Sequence, residues 1–249
     1  GIKSWIARSM LHALRIWDYR TSAGVNHFVA NSNYISRRIR KVYGRESHVI
    51  YPPVDIHEFT LVEQKDDYYL AASRLVPYKK MDLIAEAFRQ MPEKRLVIVG
   101  DGPDMEKVRS HAGPNVELLG YRPREELIDL MQRARAFVFA AEEDFGIAPV
   151  EAQACGTPVI AFGKGGARET VRPIETSKPT GLFFDQQVPS SLIDAVRIFE
   201  AEEGRFSPLA CRENARRFDA SRFRAEFADF VEGRFLEFTH RNQMMPITA

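Results

Sequence analysis

The chain has 249 residues, 45% hydrophobic and 28% charged, enough apolar material for one large α/β domain or a domain and a half. Thirty-five Lys and Arg against 34 Asp and Glu leave a formal charge of +1. That total excludes a global field recruiting nucleic acid or an anionic membrane, so any anion site must be local. Cys155 and Cys211 have neither zinc spacing nor a disulfide framework; they read as reduced thiols in a cytosolic setting, Cys155 as a small core residue rather than a nucleophile.

Residues 1–20 predict an amphipathic helix with basic residues at Lys3, Arg8, Arg15 and Arg20. Its charges interrupt any secretion signal, and no apolar run in the chain reaches the roughly 18 to 20 residues of a membrane span. Short β-rich runs then alternate with helical patterns, the sequence form of βαβ units around a parallel sheet. Strands are predicted at 27–32, 48–54, 68–75, 95–100, 116–120, 136–141, 158–163 and 181–185. Between them, KKMDLIAEAFRQM sets Met81, Ile84, Ala85 and Phe88 along one helix face, and REELIDLMQRA does so with Leu127, Leu130 and Met131. Pro52-Pro53 and the polar stretch HEFTLVEQKDD mark a domain boundary at 52–66. From about residue 206, Phe218, Phe223, Phe227, Phe230, Phe235 and Phe238 recur at helical spacing. Such a helix needs a surface to cover, on its own domain or on a neighbour. There is no internal repeat and no low-complexity tract.

Four strand-to-helix turns carry candidate chemistry. In SRLVPYKKMDLIAEAF, Arg74 ends a strand, and Lys79 and Lys80 open the next helix, at the strand ends where open α/β sheets bind ligands. Arg holds phosphate in fork geometry and Lys adds a point charge. VGDGPDMEKVR is not the dinucleotide fingerprint, because Met105 stands where the third glycine belongs. In AAEEDFGIAPVEAQACGTPVIAFG the chain turns at Glu142, Glu143 and Asp144 into a helix that starts near Phe145-Gly146 and ends at Gly156. Acids at a helix start serve as caps, which accounts for Asp144. They leave Glu151 unexplained, a mid-helix carboxylate among Pro149, Val150 and Ala152 whose desolvation is costly unless it is paired. With Gly146 allowing close approach, the helix N-terminus is an anion site. The stretch thus offers acceptors, donors and an acceptor, an order matching hydroxyls, phosphates and hydroxyls. A helix running through the whole segment would separate Glu143 from Glu151 by roughly 12 Å. In FGKGGARETV, Lys164 and the glycine pair that follows it form the fourth turn, as open to touching ligand as to a structural role.

In this order, SRLVPYKKMDLIAEAF, LVIVGDGP, ELLGYRPREEL and EEDFGIAPVEAQACGTPVIAFGKGGARETV resemble the nucleotide-sugar-binding half of retaining glycosyltransferases of the GT-B fold. The family is the large fourth one, whose hallmark E-x7-E is met by Glu143 and Glu151. RLVPYKK and AEEDFGIAPVEA resemble its O-antigen mannosyltransferase branch. The likeness runs over about residues 25–240. It implies an α/β fold with a Rossmann-like parallel sheet flanked by helices, the C-terminal domain of a two-domain enzyme. It also implies that 1–51 are the last helix, strand and helix of a missing acceptor-binding N-terminal domain and 52–66 a linker. Residues 67–205 would be the donor domain, and 206–249 helices that close it or return to the first domain.

The resemblance further implies site roles. Arg74 and Lys79 hold the diphosphate, Glu143 binds donor-sugar hydroxyls and Glu151 the ribose. Backbone groups of Phe145, Gly146 and Ile147 hold sugar and phosphate, and backbone atoms near Arg122 meet the base. Glu143, Arg74 and Lys79 form the catalytic set. With two cations and a helix N-terminus to stabilise charge on the leaving diphosphate, and no Asp-x-Asp in the chain, transfer is expected to need no metal or other cofactor. The implied donor is GDP-mannose and the implied acceptor a glycan, commonly lipid-linked, in bacterial polysaccharide (lipopolysaccharide) synthesis. The protein would then be cytoplasmic, with peripheral attachment to the inner membrane face compatible with the basic first helix, and with no nucleic-acid partner. This fragment alone would be inactive. Three alternatives stay open: another GT-B activity such as UDP-sugar transfer or epimerisation, a nicotinamide-dependent oxidoreductase that the failed fingerprint argues against, and a nucleotide-binding module without chemistry.

Overall fold

The computed structural model describes residues 2–243, which divide into two compact units on either side of the Tyr51–Pro52 bond. The first contains α1 (Ile2–Ser22), β1 (Phe28–Ala30), α2 (Asn33–Tyr43) and β2 (Ser47–Val49). Its two strands pair in parallel, Phe28 opposite Ser47. The strand expected at 48–54 is thus observed, shortened to Ser47–Val49 and half-exposed, after the expected helix, strand and helix. Ser32 caps α2 by accepting from the Ile35 N–H at 3.1 Å, and Gly44 ends it in the left-handed conformation, φ 65°. The Tyr43 hydroxyl ties α2 to α1 by donating to Asp18 at 2.7 Å. Residues 1–51 hold nine Lys and Arg against only Asp18 and Glu46, a formal +7, so the remainder of this +1 chain carries −6. The neutral total conceals that division.

In the second unit the elements are β3 (Tyr69–Ala72), α3 (Met81–Arg89), β4 (Leu96–Val99), α4 (Met105–His111), β5 (Val116–Gly120), α5 (Arg124–Arg133) and β6 (Ala136–Phe139). They continue with α6 (Ile147–Ala154), β7 (Val159–Phe162), α7 (Ala167–Thr170), β8 (Gly181–Phe184), α8 (Pro189–Ala201), α9 (Pro208–Ala215) and α10 (Ala220–Gln243). All six strands are parallel, in the order β5-β4-β3-β6-β7-β8. β3, β4, β6 and β7 are buried at every residue. Covered on both faces, they read as unbroken apolar runs rather than alternating ones. The core gathers Tyr69, Leu75, Ile84, Phe88, Ile98 and Phe199.

The sheet order reverses at β3, whose neighbours are β4 on one side and β6 on the other. The loops leaving β3 and β6 therefore diverge around a crevice at the strands' C-terminal ends, the usual ligand position in such sheets.

The connecting stretch 52–66 is not loose. Val54, Ile56 and Phe59 are buried, and the Val54 N–H bonds to the Phe218 carbonyl at 2.8 Å. Lys65 donates to the carbonyls of Gln132 and Cys155 and to the Thr157 hydroxyl at 2.7, 3.2 and 2.9 Å. Burial lowers the Lys65 ammonium to about 8. The aromatic tail also differs from its helical reading at one end. Phe218 lies in a 3₁₀ turn before α10 and is buried, its ring edge-on to Phe145 at 5.3 Å. Further along α10, Phe227, Phe235 and Phe238 are exposed.

Candidate active site

Each wall of the crevice is a loop held in place by a glycine turn behind it. After β3, Ser73 and Leu75 take backbone bonds from the β4–α4 turn: Ser73 N–H to the Val99 carbonyl and Leu75 N–H to that of Asp101, at 3.1 and 2.9 Å. A Cβ on Gly100 would stand 1.8 Å from the Ser73 oxygen, so only glycine lets this turn approach the loop that carries Arg74. After β6, the Glu143 carbonyl accepts the Gly166 N–H at 2.8 Å, and a Cβ on Gly165 would lie 2.3 Å from that same oxygen. The glycines of VGDGP and of FGKGGARETV thus serve the backbone of the neighbouring loops. For FGKGGARETV, left open between ligand contact and structure, the observed contact is structural.

The β3 loop closes in a 3₁₀ turn, Pro77–Lys79, and Lys80 follows at φ 58°. Among the described residues Lys80 is the one non-glycine with positive φ, a conformation that costs a residue with a Cβ. It redirects the chain into α3 directly after Lys79. The Lys79 ammonium thereby reaches across the crevice and forms an ion pair with the Glu143 carboxylate; the side chains are 17% and 20% exposed. Glu142 and Asp144 on either side are exposed, whereas Phe145 and Gly146 are buried.

The segment from Glu142 to Phe145 is irregular, and α6 begins only at Ile147. A separation of the two glutamates along a continuous helix axis therefore does not apply. Gly146, at φ 88°, precedes the helix, whose first turn has no side-chain cap. Its N–H groups point out at the strand ends, the geometry that favours an anion.

Beside this pair lies a cleft of about 410 Å³, lined among others by Ser73, Arg74, Gly100, Tyr121, Arg122 and Glu151. Arg74 is exposed and makes no ion pair among the described residues. Arg122 bonds the Tyr121 carbonyl at 3.0 Å and faces Glu126 at 3.4 Å. The structure thus gathers Arg74, Arg122 and Glu151 in one cleft. Lys79 and Glu143 stand outside its lining, and Phe145, Gly146 and Ile147 lead into α6, whose Ala148 also lines it.

Glu151, 16% exposed, has Arg124 as its cation at 3.4 Å. Burial raises its carboxyl above the ordinary range; Arg124 opposes the shift and the Glu58 charge adds to it. Arg124 bonds Glu58 more closely, at 2.7 Å from Nε, and lies over the Phe59 ring at 5.4 Å. Sequence reasoning missed Arg124 and Glu58. They are 66 residues apart, and the one legible signal was an acid in an apolar helix without a partner at i±3 or i±4. Burial pushes the Cys155 and Cys211 thiols up to about 12, which leaves neither suited to act as a nucleophile. Among the described residues no three His, Cys, Asp or Glu side chains gather as a metal site, and no helix is long and apolar enough to cross a membrane.

Comparison with known proteins bears on the fold and the family. The chain is 31% identical over 173 residues, 57% of its length and 45% of the relative's, to a GDP-mannose-dependent monoacylated alpha-(1-6)-phosphatidylinositol monomannoside mannosyltransferase of Corynebacterium glutamicum. It is 27% identical, over 82% of its length and 56% of the relative's, to a D-inositol 3-phosphate glycosyltransferase of Xylanimonas cellulosilytica. It spans about half the length of these curated relatives. Among solved structures, sucrose-phosphate synthase from Thermosynechococcus elongatus superposes with a TM-score of 0.73 at 24% identity, over 84% of this chain and 58% of that one. The fold is that of the GT-B glycosyltransferases. Residues 55–218 match the family of glycosyl transferases group 1, and the chain belongs to that family.

Proposed function

We propose that the protein is the donor-binding part of a retaining hexosyltransferase that moves mannose, or a related hexose, from GDP-mannose to a lipid-linked glycan. One observation carries the reading: unpaired Arg74, Lys79 bridged to Glu143, and the uncapped start of α6 surround the point where the sheet order reverses. Arg74, Lys79 and the helix amides supply positive potential where a diphosphate would sit. As the glycosyl–phosphate bond breaks, charge grows on the diphosphate, and fixed donors that meet it there lower the barrier. Lys79 shares its ammonium between that charge and Glu143. Glu143 accepts from the sugar hydroxyls, and Glu151, in the lining of the cleft, from the ribose. The backbone of Phe145, Gly146 and Ile147 holds sugar and phosphate, and backbone near Arg122, with exposed Tyr121 beside it, receives the base.

These cations make transfer independent of a divalent metal. Guanine is favoured over uracil because the Corynebacterium relative is named as GDP-mannose-dependent. Residues 1–51 belong, in this reading, to the acceptor-binding domain, and the enzyme works in polysaccharide synthesis at the cytoplasmic face of the membrane.

The test is calorimetric titration of the chain with GDP, UDP, ADP and NAD, with and without a chelator. GDP is expected to bind most tightly and equally in both conditions. Arg74→Ala and Lys79→Ala each weaken it by roughly 1.5–3 kcal/mol, the worth of a hydrogen bond to a charged group. Equal affinity for all four, or binding abolished by the chelator, overturns the reading.

A further inference from the structure

Arg124 is placed by groups other than the carboxylate it serves. Its guanidinium is gripped by Glu58 and lies on Phe59. It meets Glu151 only at 3.4 and 3.5 Å, both contacts to the same oxygen, Oε1. An arginine that simply neutralised Glu151 would use its planar fork on both oxygens at closer range. Here the fork is spent on Glu58. Among the described residues no other side chain bonds the Glu151 carboxylate, so Oε2 is unspent on a residue that lines the cleft.

We propose that Arg124 is a positioning residue: anchored by Glu58 and Phe59, it holds Glu151 by Oε1, so that Oε2 accepts a hydroxyl of a nucleotide in the cleft. This deepens the donor-site reading and rests on its assignment of Glu151 to the ribose.

The alternatives around Glu151 are few. Glu58 from the 3₁₀ turn at Ile56–Glu58 and Cys155 one turn along α6 cannot keep it ionised, since neither is a cation. Across the cleft stand Arg74, Arg122 and Asp101, of which none is in an ion pair with it. Remove the Arg124 charge and burial, reinforced by the Glu58 charge, drives the carboxyl toward its neutral form. A protonated Glu151 is a poorer acceptor for a diol, so nucleotide affinity becomes sensitive to acid in a range where the parent is not.

The experiment is GDP titration of this chain at pH 6, 7 and 8, repeated with UDP. The parent is expected to change less than about twofold, and Arg124→Gln to lose affinity several-fold more than the parent between pH 8 and 6. Arg124→Lys should return most of the flat profile, and in Arg124→Gln/Glu151→Gln the acid sensitivity should vanish. If Glu151→Gln alone leaves affinity for both nucleotides unchanged, or neither nucleotide binds the parent, the donor-site reading fails and this one with it. If Glu151→Gln weakens binding while Arg124→Gln stays flat with pH, the donor site stands and the role of Arg124 is overturned.

Discussion

The crevice has two carboxylates of opposite construction. Glu143 sits on an irregular loop, pinned through its backbone by the Gly165-Gly166 turn and through its side chain by Lys79. Glu151 sits on a regular helix turn, and its cation keeps a distance because it is anchored elsewhere. The loop acid is therefore held by its partners, whereas the helix acid is held by its backbone and only steered by a charge. A group held by partners must release some of them to admit a ligand; a group held by its scaffold can stay ready, at the cost of desolvation.

The largest way to break this contrast is at the glycines. Gly165→Val drives a side chain into the Glu143 carbonyl and should lower the thermal midpoint by many degrees, with a cost of about 3 kcal/mol or more, and abolish GDP binding. A valine at Gly204, where an added Cβ meets nothing within 4 Å, serves as the control and should leave both near the parent. A variant at Gly165 that keeps both would show that the turn does not hold the loop.

Next in size is the split between the acids. Glu143→Gln removes one side of a partly buried ion pair and should destabilise the ligand-free chain by roughly 1 kcal/mol. On the proposed donor-site reading it should retain most GDP affinity yet lose sugar transfer. Glu151→Gln should weaken GDP and GDP-mannose alike. Matching affinity profiles for the two variants, measured beside their thermal midpoints, would erase the division of labour.

The smallest effect has the opposite sign. Because burial raises the Glu151 carboxyl in the folded state, the fold favours its protonated form. That contribution is complete below the unfolded value and is lost as pH rises through the higher folded one. At pH 7 the ionised Glu151 is thus a net cost, and Glu151→Gln should raise the ligand-free midpoint slightly. The gain should fade below about pH 4. A midpoint that falls at pH 7 would place Glu151 with Glu143 as a partner-held acid.

How much of this could be read in advance follows from where each interaction is encoded. The strands were legible because sheets covered on both faces need contiguous apolar runs, as in Leu96–Val99 and Val159–Phe162. The observed strands fall within the predicted runs and are trimmed where the chain turns into its loops, except that β2 begins one residue early. Arg74, Lys79, Glu143 and Glu151 could be picked out because each sits at a fixed offset from a strand end or a glycine. Arg124, Glu58, Lys65 and Phe218 could not. Their partners lie tens of residues away, and a charged residue on a helix start or in a polar stretch looks the same in sequence whether it is solvated or anchored. The purpose of the glycines was hidden for a related reason: Gly100 and Gly165 are required by backbone atoms of other loops.

The unequal sharing of charge between the two units has a colloidal consequence. With +7 before residue 52 and −6 after it, the chain is a dipolar ion, nearly neutral by titration but not by local field. At low ionic strength the positive unit of one copy attracts the negative unit of another, and near-zero net charge offers no repulsion to oppose it. Solubility should therefore be poorest in dilute buffer and rise with added salt, as the screening length falls from about 30 Å at 0.01 M toward about 8 Å at 0.15 M.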